Sequence, residues 1–432
     1  MHPMQEIISR HKGGAHVGIF SNCTANEFAL RAVMRRCKKA GIPALIEATA
    51  NQVNQDGGYT GQKPIDFYNW CLDIAKKENF DTSMLILGGD HLGPLTWTKL
   101  DEAEAMKKAG VLVYEYVYAG FTKIHIDTSM RLASDDPNGR LSDEVIARRG
   151  AELCAKAEEA FANRKKDFPN APAPIYVIGS EVPIPGGAQE HEELQVTDSK
   201  ACLETIEAFK QAFDLKGLDK AWERVIAVVV QPGVEFSEDE VFAYNSDKAK
   251  ELCQTVKNQQ FVFEGHSTDY QPRQALLEMV RDGIVILKVG PALTFALREA
   301  LFALESIEKT LLPGKSGVSL SNFANVLEEA MIENPGNWNK HYHGNEHELK
   351  IKRAYGFSDR ARYYLNVQTV QDAISRLAKN LENPIPLPLL SQFMPIQYAR
   401  VRDGLIDNNF DELVLDRIGD CIDDYIFALN GV

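Results

Sequence analysis

Short apolar, β-branched runs recur along the first two-thirds of the chain, each followed by an amphipathic stretch. The runs are His16–Cys23, Pro43–Thr49, Met84–His91, Lys123–Ser129, Ile175–Val182, Val225–Gly233, Phe261–Ser267 and Ile284–Pro291. Between them lie segments with helical periodicity, such as Ala25–Lys39, Pro64–Glu78, Asp101–Ala119 and Asp143–Ala162. Strands alternating with helices call for parallel βαβ units, because a parallel strand can be reached only through a crossover connection. Eight such units over roughly 290 residues meet the requirement of a TIM (β/α)8 barrel. A doubly wound sheet competes, but it asks for a glycine-rich turn after its first strand. The first run leads instead into Ser21-Asn22-Cys23-Thr24-Ala25. From about Leu311 the alternation fades into helical patterns. The chain therefore divides into an α/β barrel over 1–310 that carries the active site and a helical C-terminal extension over 311–432 packed on it.

Polar residues gather at one end of these strands. Strand two leads into Glu47, Asn51 and Gln52, strand three into Asp90 and His91, and strand four into His125, Asp127 and Ser129. Strand five ends at Glu181 and strand six at Gln231. Strand seven carries Glu264, His266 and Asp269, and strand eight Lys288. In a barrel the C-terminal strand ends carry chemistry and the opposite ends stability. Desolvating so many polar groups together is costly unless they serve a site. Two imidazoles and a carboxylate, His91, His266 and Glu181, suit a divalent cation: Zn²⁺ first, with Mn²⁺, Ni²⁺ or Co²⁺ as options. The carboxylates Glu47, Asp90 and Asp127 could act as acid and base or orient a metal-bound imidazole. His125 is expected to be a hydrogen-bonded structural histidine. Lys288 could form a Schiff base with a ketose, although neighbouring carboxylates would hold it charged. The remaining polar rim residues, Asn51, Gln52, Ser129, Gln231, Glu264 and Asp269, are candidate substrate contacts.

Composition narrows the class. Of 432 residues, 44% are hydrophobic and 25% charged, as in an ordinary globular protein. The net charge of −14 and the lack of a Lys/Arg block exclude the footprint of a nucleic-acid binder. No apolar run is long enough to span a membrane, and the first residues do not read as a secretory signal. The seven cysteines are scattered with no CxxC pair, which favours reduced thiols and a cytoplasmic setting. Gly314-Lys315-Ser316 imitates the end of a P-loop, but a helix rather than a strand is expected before it. The cluster His341, His343, Glu346 and His347 falls in a polar loop outside the barrel units and reads as surface histidines. Phe357-Ser358-Asp359-Arg360-Ala361-Arg362-Tyr363-Tyr364 brings two guanidiniums close together, a donor type suited to phosphate.

Several of these segments are long enough to compare with a known family. Glu47-Ala48-Thr49-Ala50-Asn51-Gln52-Val53-Asn54-Gln55, Gly88-Gly89-Asp90-His91-Leu92-Gly93-Pro94 and His266-Ser267-Thr268-Asp269-Tyr270-Gln271 resemble the GatZ/KbaZ family. So do Leu287-Lys288-Val289-Gly290-Pro291 and Ser358-Asp359-Arg360, and the likeness runs over essentially the whole chain. It implies a relation to the accessory subunit of class II tagatose-1,6-bisphosphate aldolase, or to metal-dependent 4-epimerases of ketohexoses, their phosphates or tagaturonate. Two functional expectations follow. One is a 4-epimerase of the fructose/tagatose type that works by retro-aldol chemistry, with Ser358, Arg360 and Lys288 among the residues holding sugar or phosphate. The other is a non-catalytic chain that stabilises a separate class II aldolase subunit. A small-molecule sugar or sugar phosphate is the expected ligand, and a homo-oligomer is compatible with either reading.

Overall fold

A computed structural model describes residues 2–138, 140–179, 195–314 and 317–430. All eight runs contain strands: β1 (Ile19–Asn22), β2 (Ala44–Thr49), β3 (Leu85–Leu92), β4 (Lys123–Ile126), β5 (Ile175–Ile178), β6 (Val225–Val230), β7 (Val262–Gly265) and β8 (Ile284–Val289). Each pairs in parallel with the next and β8 with β1, so the sheet closes into a barrel without edges. Strands such as β6 are apolar throughout because one face meets the barrel interior and the other the surrounding helices. The fold is the expected TIM barrel with C-terminal helices. A short antiparallel hairpin, Glu235–Phe236 with Val241–Phe242, follows β6 and was not foreseen in the run pattern.

The bottom of the barrel is sealed by the helix Pro3–Lys12. Its Met4 and Ile8 pack against Ile19, Leu45, Ile86 and Ile175. His2 fixes the start of this helix, with Nδ1 accepting from the Met4 amide at 3.2 Å and Nε2 meeting the Thr122 hydroxyl at 3.0 Å. The bottom is thus apolar, and the polar chemistry is confined to the mouth.

Residues beyond 311 pack onto the helical ring. The last helix, Phe410–Asn430, lies against Glu27–Ala40, Arg273–Arg281 and Pro291–Leu311. Tyr425 donates to the Thr268 carbonyl at 2.8 Å and its ring faces Phe20. Arg31, Arg35 and Arg36 reach Asp411, Glu412 and Asp416 across the same seam. A 3₁₀ turn, Arg360–Tyr364, brings the segment to the barrel mouth. No helix among the described residues is long and apolar enough to cross a membrane.

One local irregularity shapes the mouth. Between β3 and β4 the register steps from Gly89↔Ile124 to Leu92↔Ile126, so β3 carries one residue more than its partner. This is a β-bulge, and its His91 adopts φ 48°, a left-handed conformation uncommon outside glycine. Strict alternation would send Asp90 and His91 to opposite faces. The bulge turns both into the mouth. Directly after it, Gly93 passes so close to β4 that an added Cβ would stand 1.7 Å from the Asp127 carbonyl oxygen.

Gly93→Ala is therefore expected to destabilise the fold by about 3 kcal/mol, since backbone has no rotamer with which to retreat. A lowered urea midpoint with an unchanged m-value would show it. A midpoint equal to wild type would mean that the bulge and β4 separate freely.

Candidate functional site

Three imidazoles meet where β3, β4 and β7 end. The ring centroids of His91 and His125 are 4.9 Å apart, those of His91 and His266 5.1 Å, and those of His125 and His266 5.3 Å. Each ring is oriented by a carboxylate. His91 Nδ1 lies 2.9 Å from Asp127 Oδ2, His125 Nδ1 2.8 Å from Asp90 Oδ1, and His266 Nε2 3.0 Å from Glu264 Oε1. Such carboxylate–histidine pairs fix tautomer and ring direction in metal sites. Among the described residues the buried Nε2 of His125 has no hydrogen-bond partner, a donor set one member short of satisfaction. One ligand atom from each of Asp90, His125, Glu264 and His266 falls within 4.8 Å of the others, the only such group among the described residues.

This set differs from the expected one in instructive ways. His91 and His266 do converge. Glu181 lies outside the described residues. His125, expected to be a structural histidine, joins the cluster because Lys123, His125 and Asp127 share one face of β4 and all point inward. That i, i+2 spacing within an apolar run was the signal available in the sequence. Lys123 itself, fully buried, was overlooked.

Above the cluster lies a cavity walled by Asp90, His91, His266 and Lys288 on one side and by Asn51, Gln52, Tyr59, Asp269, Arg362 and Tyr363 on the other. Several expected contacts lie off this wall, each spent on an internal bond. Glu47 is held by the Ser21 hydroxyl at 2.6 Å and by Lys123. Asp127 serves His91 and accepts from the Ser129 hydroxyl at 2.7 Å, which takes both residues out of substrate reach. Gln231 accepts from the amides of Gly233 and Val234 and builds the turn after β6. Ser358 is buried on the Tyr342 hydroxyl, and Arg360 is buried away from the cavity. Arg362 lines it instead. Glu264 sits beneath the rim, shared between His266 and Lys123.

The family model described as D-tagatose-1,6-bisphosphate aldolase subunit GatZ/KbaZ-like matches residues 4–430. The chain belongs to the GatZ/KbaZ-like family. A solved relative, described as a probable tagatose 6 phosphate kinase from Sinorhizobium meliloti 1021, is 42% identical with a TM-score of 0.86. That match covers 95% of this chain and all of the relative. The YdjI aldolase of Escherichia coli K12 is 12% identical with a TM-score of 0.40, covering 84% of this chain and 94% of its own.

In this GatZ/KbaZ-like chain the cluster rests on a column of buried charge. Lys123 Nζ lies 2.7 and 2.9 Å from the two Glu47 oxygens and 2.7 Å from Glu264 Oε2, all without solvent contact. Lys288 touches Asp90 and stands 3.4 Å from Glu264 and 3.8 Å from Glu47. Burial pushes Asp90 up, yet His91, Lys288 and His125 overcome it and hold the carboxyl well below its usual range. Burial likewise acts against Lys288, but Asp90, Glu47 and other anionic neighbours raise it well above an ordinary lysine. An amine held as ammonium is a poor nucleophile, so Schiff-base chemistry loses its basis. Burial and the Lys288 charge keep His266 neutral, and burial lowers His125, which leaves both imidazoles able to ligate. Four carboxylates (Glu47, Asp90, Asp127, Glu264) and two lysines (Lys123, Lys288) surround the imidazoles, a donor set rich in carboxylates.

Glu235, at the start of the hairpin after β6, was not singled out in the sequence. It is 1% exposed and accepts from the Phe236 amide at 3.0 Å, and burial lifts its carboxyl to about 7. The unfolded chain ionises this group near its ordinary value of 4.5 while the folded chain keeps the proton. Its contribution therefore turns unfavourable as pH rises from about 4.5 to about 7 and then levels off, by roughly 3 kcal/mol. Glu235→Gln is expected to remove that slope. Urea midpoints of variant and wild type, compared near pH 5 and near pH 8, should diverge with rising pH. Parallel curves would show that the carboxyl is ionised in the fold.

Proposed function

We propose that this chain is a metal-dependent 4-epimerase of a ketohexose or ketohexose phosphate of the fructose/tagatose type, working by retro-aldol cleavage and re-addition. The observation that carries this reading is the convergence of Asp90, His125, Glu264 and His266, with the His91 ring beside them, at the cavity floor. The Nε2 of His125, unpartnered among the described residues, fits a divalent cation held by His125, His266 and Glu264. Bound there, such a cation would supply Lewis-acid polarisation of the ketose carbonyl.

The chain's own residues account for the remainder. Asp90 is ionised and is the one of the three proposed catalytic carboxylates that reaches the cavity, so it takes the proton of the C4 hydroxyl. The C3–C4 bond breaks, its electron pair passes to the C2–C3 fragment as an enediolate, and C4 becomes an aldehyde. Lys288, in contact with Asp90, places a fixed ammonium beside the charge that develops. Rotation of the aldehyde presents its other face, C3 attacks again, and Asp90 returns the proton to the new C4 oxygen. Asp127 and Glu47 act as supports: the first aims His91, the second anchors Lys123.

Phosphoryl transfer, which the description of the Sinorhizobium relative suggests, finds no support. The helix Pro291–Leu311 precedes Gly314, whereas a P-loop must follow a strand. The family description does favour a second reading, an accessory chain for a class II aldolase. Chelator-treated protein reloaded with Zn²⁺, Mn²⁺, Ni²⁺ or Co²⁺ should interconvert fructose and tagatose, or their 6-phosphates. His266→Ala should lower turnover by about a thousandfold or more. Reloaded protein that converts no ketose, yet raises the activity of a separate class II aldolase with His266→Ala equally effective, would establish the accessory role.

A further inference from the structure

Arg362 differs from several other sheltered arginines. Arg31, Arg149 and Arg353 each meet two carboxylates. Arg362, half-buried on the cavity wall, has no carboxylate oxygen within 4.0 Å among the described residues. Its two Nη1 hydrogens go to the carbonyls of Ser358 and Asp359, at 2.5 and 2.9 Å, and one Nη2 hydrogen goes to the Tyr363 hydroxyl at 2.8 Å. A guanidinium carries five N–H donors, so among the described residues the Nε–H and one Nη2–H stay uncommitted. The Tyr363 ring packs on its face at 4.4 Å and Tyr59 stands edge-on to Tyr363, which holds the guanidinium plane in place. The next residue on the same turn that carries charge is Arg360, another cation. Asp359 and Asp269 act on it only through space, so this charge, partly removed from water, has no carboxylate in contact with it and two donors to spare for an anionic ligand.

The usual alternative place for an anion is already filled. α/β barrels commonly seat a phosphate between the loops after strands seven and eight, on amides at a helix N-terminus. Here Asp269 Oδ1 accepts from the amides of Gly290 and Ala292, at 3.0 and 2.8 Å. The chain's own carboxylate consumes those donors and repels a second anion.

We propose that Arg362 is the specificity-determining residue of the cavity and binds a terminal anionic group of the ketose, a phosphate or a carboxylate, through its two uncommitted N–H donors. The assignment rests on the ketose reading above and adds the residue that holds the anionic group of the sugar.

Calorimetric titration tests it without turnover. Purified protein would be titrated with fructose, fructose 6-phosphate and the ketouronate tagaturonate. At least one anionic sugar should bind about tenfold or more tighter than fructose, and which one does so tells phosphate from carboxylate. Arg362→Gln should weaken that ligand by about 10- to 100-fold and leave fructose unchanged, as expected for charge-assisted bonds. Arg362→Lys, which keeps charge but not the fork, should fall between. Equal wild-type affinity for fructose and both anionic sugars, or a loss in Arg362→Gln that is the same for all three, would overturn the assignment. The wild-type comparison stands even if a variant misfolds. Selective binding without epimerisation would remove the proposed reaction and keep Arg362, whereas epimerisation of fructose unaffected by Arg362→Gln, with no selectivity for anions, would do the reverse.

Discussion

Buried charge must be balanced within a few ångströms, and the mouth of this barrel is organised around that requirement. Lys123, enclosed in the barrel, cannot be solvated, so Glu47 and Glu264 clamp it from two sides. Those carboxylates then need neighbours of their own. Ser21 takes one oxygen of Glu47, His266 takes one of Glu264, and Lys288 lies over both. The positions of two imidazole-bearing strands and of the cavity floor follow from this chain of obligations. Removing any single member would leave its partner charged in a medium that does not tolerate it.

The column also separates structural from chemical carboxylates. Glu47 and Asp127 are bonded to Ser21, Lys123, His91 and Ser129 and lie off the cavity wall. Asp90 is placed differently because a one-residue bulge lifts it and His91 together into the mouth. The left-handed backbone at His91 is local strain that only a tightly packed surround maintains, and Gly93 leaves the room that lets the chain pass close to Asp127. Strain of this kind clusters where chemistry needs an unusual side-chain direction.

The C-terminal segment does more than cover the barrel. Its 3₁₀ turn delivers Arg362 and Tyr363 to a wall whose other residues come from strands and loops of the barrel, far earlier in the chain. The final helix ties down Thr268, next to Asp269, through Tyr425. Barrel strands and loops supply Asp90, His91, His266 and Lys288 to the cavity, and the appended segment supplies Arg362 and Tyr363.

Eight strands, their order and the closed barrel could be read from alternating runs because βαβ periodicity is a local property of the chain. The gathering of Asp90, His91, His266 and Lys288 at one end was equally legible, since strand ends in a barrel share a rim. What could not be read was the choice among polar residues on that rim. Asp90 and His91 are adjacent, and only the bulge decides that both face inward. Arg360 and Arg362 are two residues apart on a tight turn, and only packing against Tyr342 and Tyr363 decides which meets the cavity. Periodicity reports which face a residue prefers. The allocation of hydrogen bonds and charge among side chains distant in sequence is settled in three dimensions, where each buried group takes the nearest partner that satisfies it.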